Sequence, residues 1–209
     1  MKGLLFAGGN RIREDIINNF IDDSFIVCAD SGIKNLVNLN IIPNIVVGDF
    51  DSIDSEGRDY ISKNNIKVEK YLAEKDFTDT EAALEILLRQ NVDEIIIFGA
   101  TGTRLDHTLA SMLLLSKLFG RVRARLIDNH NEVHYVREGI YKFYRKNYSY
   151  ISLLSVTGEL EYSTFGLKYE TNHLIVERSS AIGVSNEIKG DSCEITVHRG
   201  EGFVIKSID

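Results

Sequence analysis

Val46-Val47-Gly48-Asp49-Phe50-Asp51-Ser52 runs an apolar strand into two carboxylates one residue apart, and how that strand ends decides the fold. If the backbone stays extended, Asp49 and Asp51 project to the same side about 7 Å apart, with Phe50 turned away. Such a pair repels itself. In an open α/β sheet the carboxyl ends of the strands border the ligand crevice, so acids at that edge are placed to hold a cation or a hydroxyl. Taken alone the heptad also suits a polar turn, since Gly, Asp and Ser favour turns. Its neighbours decide between the two.

On either side of this stretch, apolar runs alternate with helical patterns. Leu4-Leu5-Phe6-Ala7 ends at Gly8-Gly9-Asn10, Phe25 to Ala29 ends at Asp30-Ser31-Gly32, and Glu94 to Phe98 ends at Gly99. Further strands are predicted at 67–72 and 124–127. Helices are predicted at 12–20, 33–39, 55–63, 79–90 and 106–119, the last presenting Leu109, Leu113 and Leu114 on one face. Runs of Ile, Val and Leu between helices indicate strands buried on both faces, hence a doubly wound, mostly parallel α/β sheet. After Glu138 the pattern changes to short alternating runs at 141–144, 150–155, 159–163, 174–177, 194–198 and 203–208, separated by turn residues. That spacing suits a small all-β sandwich. The expected domains are therefore 1–136 and 137–209. A β domain so small is marginal alone and is expected to pack on the first domain or on a second copy of the chain.

Bulk properties narrow the partners. The 209 residues, 44% hydrophobic, suffice for a buried core and exclude a disordered chain. Net charge is −7, and basic residues are scattered apart from Arg121-Val122-Arg123-Ala124-Arg125, so a small molecule is favoured over nucleic acid. Cys28 and Cys193 form no metal-binding spacing and read as reduced core thiols. The apolar run Gly3 to Gly8 is too brief for a secretory signal, and no stretch approaches the ~18 apolar residues of a membrane span. A cytoplasmic protein without a membrane partner is expected.

Chemistry-bearing residues collect at one edge of the predicted sheet. Asp30 ends the second strand, and Asp49 and Asp51 end the third. The fourth runs into Lys75-Asp76-Phe77-Thr78-Asp79, and the fifth into Gly99-Ala100-Thr101-Gly102-Thr103-Arg104-Leu105-Asp106-His107. Some of these have structural explanations. Thr78-x-x-Glu81 is a capping box with Asp79 in the first helical turn, and Asp106 suits the N-cap of its own helix. Gly99-x-x-Gly102 lets backbone N–H groups approach an anion at a helix start, and Arg104 supplies a fork for phosphate oxygens. A polyphosphate among so many carboxylates is repelled unless divalent cations stand between them, which suits Mg²⁺.

Gly48-Asp49-Phe50-Asp51-Ser52, Lys75-Asp76-Phe77-Thr78-Asp79, Gly99-x-x-Gly102-x-Arg104-x-Asp106-His107, Gly166-Leu167-Lys168-Tyr169 and Val184-Ser185-Asn186-Glu187 together resemble the thiamine pyrophosphokinase family, in the family's order and over nearly the whole chain. The resemblance implies transfer of pyrophosphate from ATP to thiamine with Mg²⁺, giving thiamine diphosphate and AMP. It also implies a homodimer in which thiamine lies between the α/β domain of one subunit and the β domain of the other. Carried over residue by residue, Asp49, Asp51 and Asp79 are catalytic and metal-binding, with Asp76 a fourth metal contact. Either Asp49 or Asp79 accepts the hydroxyl proton. Arg104, Asp106, Gly99, Gly102 and Lys75 contact the nucleotide, and Asp30, Ser185 and Asn186 contact thiamine. The chain departs from animal members in having no Trp: Tyr169 and Ile188 stand where aromatic walls are expected.

Two other readings compete. Asp49-x-Asp51 imitates the nucleophile pair of haloacid-dehalogenase-like phosphatases, but there the motif ends the amino-terminal strand, whereas here it ends the third. A non-catalytic nucleotide or thiamine sensor gains little from so much mutual repulsion among carboxylates.

Overall fold

The computed structural model describes residues 1–71 and 76–209, in two units, Met1–Asn129 and His130–Asp209. The first unit carries strands β1 (Lys2–Phe6), β2 (Ser24–Ala29), β3 (Ile45–Gly48), β4 (Lys67–Lys70), β5 (Glu94–Phe98) and β6 (Arg123–Ile127). Between them lie helices α1 (Glu14–Asn18), α2 (Lys34–Val37), α3 (Ser55–Lys63), α4 (Asp79–Arg89) and α5 (Leu105–Leu118). All six strands pair in parallel, in the order β4-β3-β2-β1-β5-β6. The chain thus leaves β1 on one side, runs outward to β4, and returns to β5 on the other. Loops diverge at the carboxyl end of β1, where such sheets open a crevice.

Burial on both faces follows from the unbroken apolar runs. Leu4, Phe6, Ile26, Cys28, Val46, Ile96 and Phe98 pack with Ile17, Ile33 and Leu36, and the Phe6 and Phe98 rings stack with centroids 5.1 Å apart. On the opposite face α4 packs on β1 and β2, and a Cβ placed on Gly3 would lie 3.1 Å from Leu87 of that helix. Each such fully buried side chain contributes roughly 1.5–3 kcal/mol.

Leu109 and Leu113 do not face the core: they are 59% and 51% exposed, in line with Leu105 at 72%. The buried face of α5 carries Ser111, Leu115 and Leu118. A stripe at i, i+4 and i+8 defines an apolar face but not which surface covers it.

The second unit holds β7 (Asn131–Val136), β8 (Gly139–Tyr144), β9 (Tyr150–Ser155), β10 (Glu159–Phe165), β11 (Leu174–Glu177), β12 (Ser192–Arg199) and β13 (Gly202–Ser207). β13 pairs antiparallel with β7 and β9, and a second antiparallel sheet runs β11-β10-β12-β8. Val136, Ile151, Leu153 and Val204 pack with Leu160, Tyr162, Val176, Ile195 and Val197. This is the sandwich expected from the alternating runs, with β7 added. Its sequence hides the alternation because Glu132 is buried, held 3.1 Å from the Nζ of Lys206 and 2.7 Å from Nε2 of His134. Lys206, 2% exposed, also donates to the Tyr144 carbonyl and lies over the Tyr148 ring, 4.6 Å from its centroid.

Cys28 and Cys193 are both free and buried, and burial pushes the Cys193 thiol up to about 11. Among the described residues no helix is long and apolar enough to cross a membrane.

Candidate active site

A cavity of about 740 Å³ opens at the carboxyl ends of β1, β2, β3 and β5. Its floor exists because two glycine loops interlock. The hydrogen-bonded ladder of β1 and β5 continues past the strands: Ala7 N–H donates to the Phe98 carbonyl at 2.8 Å, Gly9 N–H to Gly99 at 2.6 Å, and Asn10 N–H to Thr101 at 2.7 Å. A Cβ on Gly9 would sit 2.3 Å from the Thr101 carbonyl oxygen, and one on Gly99, at φ +63°, 2.4 Å from that of Ala7. Neither position has room for a side chain.

The acidic wall is built the same way. Asp30 opens a 3-10 turn, Asp30–Ile33, at φ +45°. Its carboxyl enters space left by Gly48, where an added Cβ would fall 1.7 Å from Asp30 Oδ1. That oxygen is buried without a hydrogen-bond partner. Burial, then a hydrogen bond and the charge of Asp79, then the charge of Asp49, push the Asp30 carboxyl up to about 7, against the opposing pull of the Phe50 backbone N–H. An acid whose pKa is raised by folding binds its proton more tightly in the native state, so its ionisation costs stability progressively above about pH 4 and fully above about pH 7. Asp30→Asn removes that cost. Denaturant unfolding across pH is expected to show the variant and parent alike near pH 4 and the variant more stable at pH 8. An advantage that does not change with pH would mean that Asp30 is not the titrating group.

Asp49 lines the cavity, and its Oδ1 accepts the Asp51 N–H at 2.9 Å. This closes a local turn, with Phe50 at φ +67°. The extended geometry expected of Asp49 and Asp51 therefore does not occur: Asp51 is exposed and outside the cavity lining. Asp79 lines the cavity from the first turn of α4. The capping box is present, with Glu81 N–H donating to Thr78 Oγ1 at 3.2 Å and the Thr78 N–H donating to Glu81 Oε2 at 3.1 Å. Asp76 is exposed and away from the lining; Lys75 lies outside the described residues.

Gly99, Gly102 and Arg104 line the opposite wall. Gly102 N–H donates to the Thr108 hydroxyl at 3.3 Å, and Thr101 donates to the buried Asp128 at 2.9 Å. Asp106 is not the N-cap of α5. Arg104 holds that position without a side-chain cap, and its guanidinium grips both oxygens of Asp106 at 3.2 and 2.5 Å. That contact pulls the Asp106 carboxyl down to about 2. Asp106 itself stands outside the lining.

Ser185 and Asn186 belong to the second unit. Ser185, at φ +61°, donates its N–H to the Ser152 hydroxyl at 3.0 Å. The Asn186 amide is committed to backbone: its Oδ1 accepts from Tyr169 and Glu187, and its Nδ2 donates to the Tyr169 carbonyl at 2.7 Å.

Sequence reasoning missed Lys34, whose Nζ donates to the Gly8 carbonyl at 2.7 Å within the cavity wall. Ser31, Ser52 and Thr101 also line it unannounced. The signal available was position: each follows a strand that ends at the crevice.

Among the described residues no three His, Cys, Asp or Glu side chains gather closely enough to hold a metal ion alone. The donor set still suits a hard divalent cation that arrives with phosphate oxygens. Mg²⁺ commonly takes one or two carboxylates together with phosphate and water, and here the charges of Asp79 and Asp49 act on the Asp30 carboxyl, whose Oδ1 is buried without a hydrogen-bond partner.

The family model "Thiamin pyrophosphokinase, catalytic domain" matches residues 17–126, and "Thiamin pyrophosphokinase, vitamin B1 binding domain" matches 140–204. The chain is 32% identical over 209 residues to the thiamine pyrophosphokinase of Bacillus subtilis, covering 98% of each. The crystal structure of a Bacillus subtilis thiamine pyrophosphokinase superposes with a TM-score of 0.92 at 30% identity, covering 100% of both chains. That of the Geobacillus thermodenitrificans protein gives 0.90 at 29% identity, covering 100% of this chain and 98% of the other.

Proposed function

The chain belongs to the thiamin pyrophosphokinase family, and on that premise we propose that it transfers the pyrophosphoryl group of ATP to the hydroxyl of thiamine, in a Mg²⁺-dependent reaction yielding thiamine diphosphate and AMP. One observation carries the reading. Asp30, Asp49 and Asp79 line a cavity at the point where the strand order reverses, beside a glycine loop and two cations, Lys34 and Arg104.

The hydroxyl oxygen of thiamine bonds to the β-phosphorus while that phosphorus loses the oxygen it shares with the α-phosphorus, and AMP departs. Such a transfer is catalysed mainly by positioning and by charge neutralisation. Mg²⁺, when bound, shields the phosphate charge from the carboxylates and polarises the phosphoryl oxygens. Asp49 and Asp79 would hold it, and one of them would accept the hydroxyl proton. Asp51 and Asp76, both exposed and outside the cavity lining, are assigned as further metal contacts. Arg104 meets the phosphates, with Asp106 fixing its guanidinium; Gly99 and Gly102 give the backbone access to the nucleotide.

Thiamine binding is assigned to Asp30 together with Ser185 and Asn186, the last acting by bracing the Tyr169 backbone. The α/β unit, Met1–Asn129, handles the nucleotide, and the β unit, His130–Asp209, supplies thiamine binding and dimerisation. A homodimer is supported by the exposed leucines of α5, the helix whose first turns line the cavity. Two buried free thiols suit a cytoplasmic enzyme.

Incubation with thiamine, ATP and Mg²⁺ is expected to release AMP and thiamine diphosphate in equal amounts, and chelation of the metal to stop both. Release of ADP, or binding of both ligands with no product, overturns the reading; the second result would indicate a sensor.

A further inference from the structure

Lys34 stands four residues after Asp30, in the first turn of α2, and reaches across to the β1 loop. Its Nζ touches one neutral acceptor, the Gly8 carbonyl, at 2.7 Å. Among the described residues no carboxylate lies within 4.0 Å of it. Burial and the nearby charge of Arg11 both depress the Lys34 pKa, with Asp54 opposing more weakly. A half-buried ammonium next to a second cation lacks an anion. Arg104, the other cation of the lining, is already held in a two-pronged contact by Asp106.

We infer that Lys34 is a phosphate-binding residue of this site, directing its unused N–H donors at the polyphosphate chain of the nucleotide. This deepens the proposed function and rests on it. A compact ammonium suits such a place because it grips phosphate as a point charge, without the planar fork that a guanidinium needs. Lys34 lines the same cavity as Gly8, Gly9, Gly99 and Gly102, the glycine loops assigned to the nucleotide side of the site. The inference also separates the two substrates: Lys34 senses phosphate and is indifferent to uncharged parts of either ligand.

The test compares parent, Lys34→Met and Lys34→Arg. Calorimetric binding of Mg²⁺-tripolyphosphate is expected to weaken roughly 10- to 100-fold in Lys34→Met, the size of a lost charged hydrogen bond. Lys34→Arg should recover most of it. Thiamine affinity should stay within about twofold of the parent, since no charged contact to thiamine is removed. In turnover, KM for ATP should rise and KM for thiamine should hold. Undiminished tripolyphosphate binding by Lys34→Met, or equal weakening of tripolyphosphate and thiamine, overturns the inference; the second result identifies Lys34 as a strut for the Gly8 loop. A parent protein that binds tripolyphosphate but never forms AMP sinks the proposed transferase while leaving the role of Lys34 to the binding data. One that forms AMP with an unchanged KM for ATP in Lys34→Met sinks the role of Lys34 alone.

Discussion

Asp79→Asn and Asp49→Asn are each expected to lower turnover by about 10²- to 10³-fold or more, the scale seen when a single preorganised electrostatic contact to a transition state is removed, while the fold survives. Survival follows from how the two acids are held. The start of α4 is secured by Thr78 and Glu81, and Lys117 anchors Glu81 at 2.6 Å from another helix, so the helix does not need the Asp79 charge. Losing that charge weakens the favourable interaction with the helix dipole by about 0.3–1 kcal/mol. It also removes repulsion from Asp30, whose protonation the Asp79 carboxyl promotes. The Asp49 side chain closes a turn by accepting the Asp51 N–H, and the amide oxygen of Asn can accept the same bond. AMP release measured alongside thermal unfolding separates the two effects. Parental turnover in both variants would remove these carboxylates from the chemistry.

Lys206→Ala is expected to cost about 3–5 kcal/mol of stability, the usual consequence of leaving a buried charge without its partner. Glu132, 4% exposed, would lose this ammonium while keeping the contact with His134 at 2.7 Å. Against a total of about 5–15 kcal/mol for a typical domain, that is a large fraction. The cost should shrink in acid, because protonation neutralises the stranded carboxyl, and grow as pH rises. The double variant Lys206→Met, Glu132→Leu should recover most of the loss, since replacing both partners by apolar groups is often close to neutral. Urea unfolding of the three proteins checks this; a single variant as stable as the parent would show that the pair contributes nothing.

Much of the first unit was legible because its strands are buried on both faces, so Leu4-Leu5-Phe6 and Ile95-Ile96-Ile97 could hardly be anything else. The acidic edge was legible for the same reason, since each apolar run stops abruptly at its carboxylate. What escaped depended on contacts between residues distant in sequence. β7 was hidden by Glu132, a residue whose burial is matched by Lys206, 74 positions later by numbering, and by His134. The separation of Asp49 from Asp51 rests on a left-handed Phe50, a conformation that residue type disfavours and so does not announce. Leu109, Leu113 and Leu114 were read as one face of α5, but Leu109 and Leu113 are exposed together with Leu105, and periodicity says nothing about what covers a face. Lys34 belongs to none of the sequence motifs, and it is the Gly8 carbonyl beside its Nζ that brings it to the site.

The continued ladder between the ends of β1 and β5 ties the fates of two loops together. A change made in one is transmitted to the other, so altering nucleotide selectivity by remodelling either in isolation would disturb both. Room for redesign begins beyond the clasp, at Thr103, where the backbone has left its neighbour and a side chain can be exchanged singly.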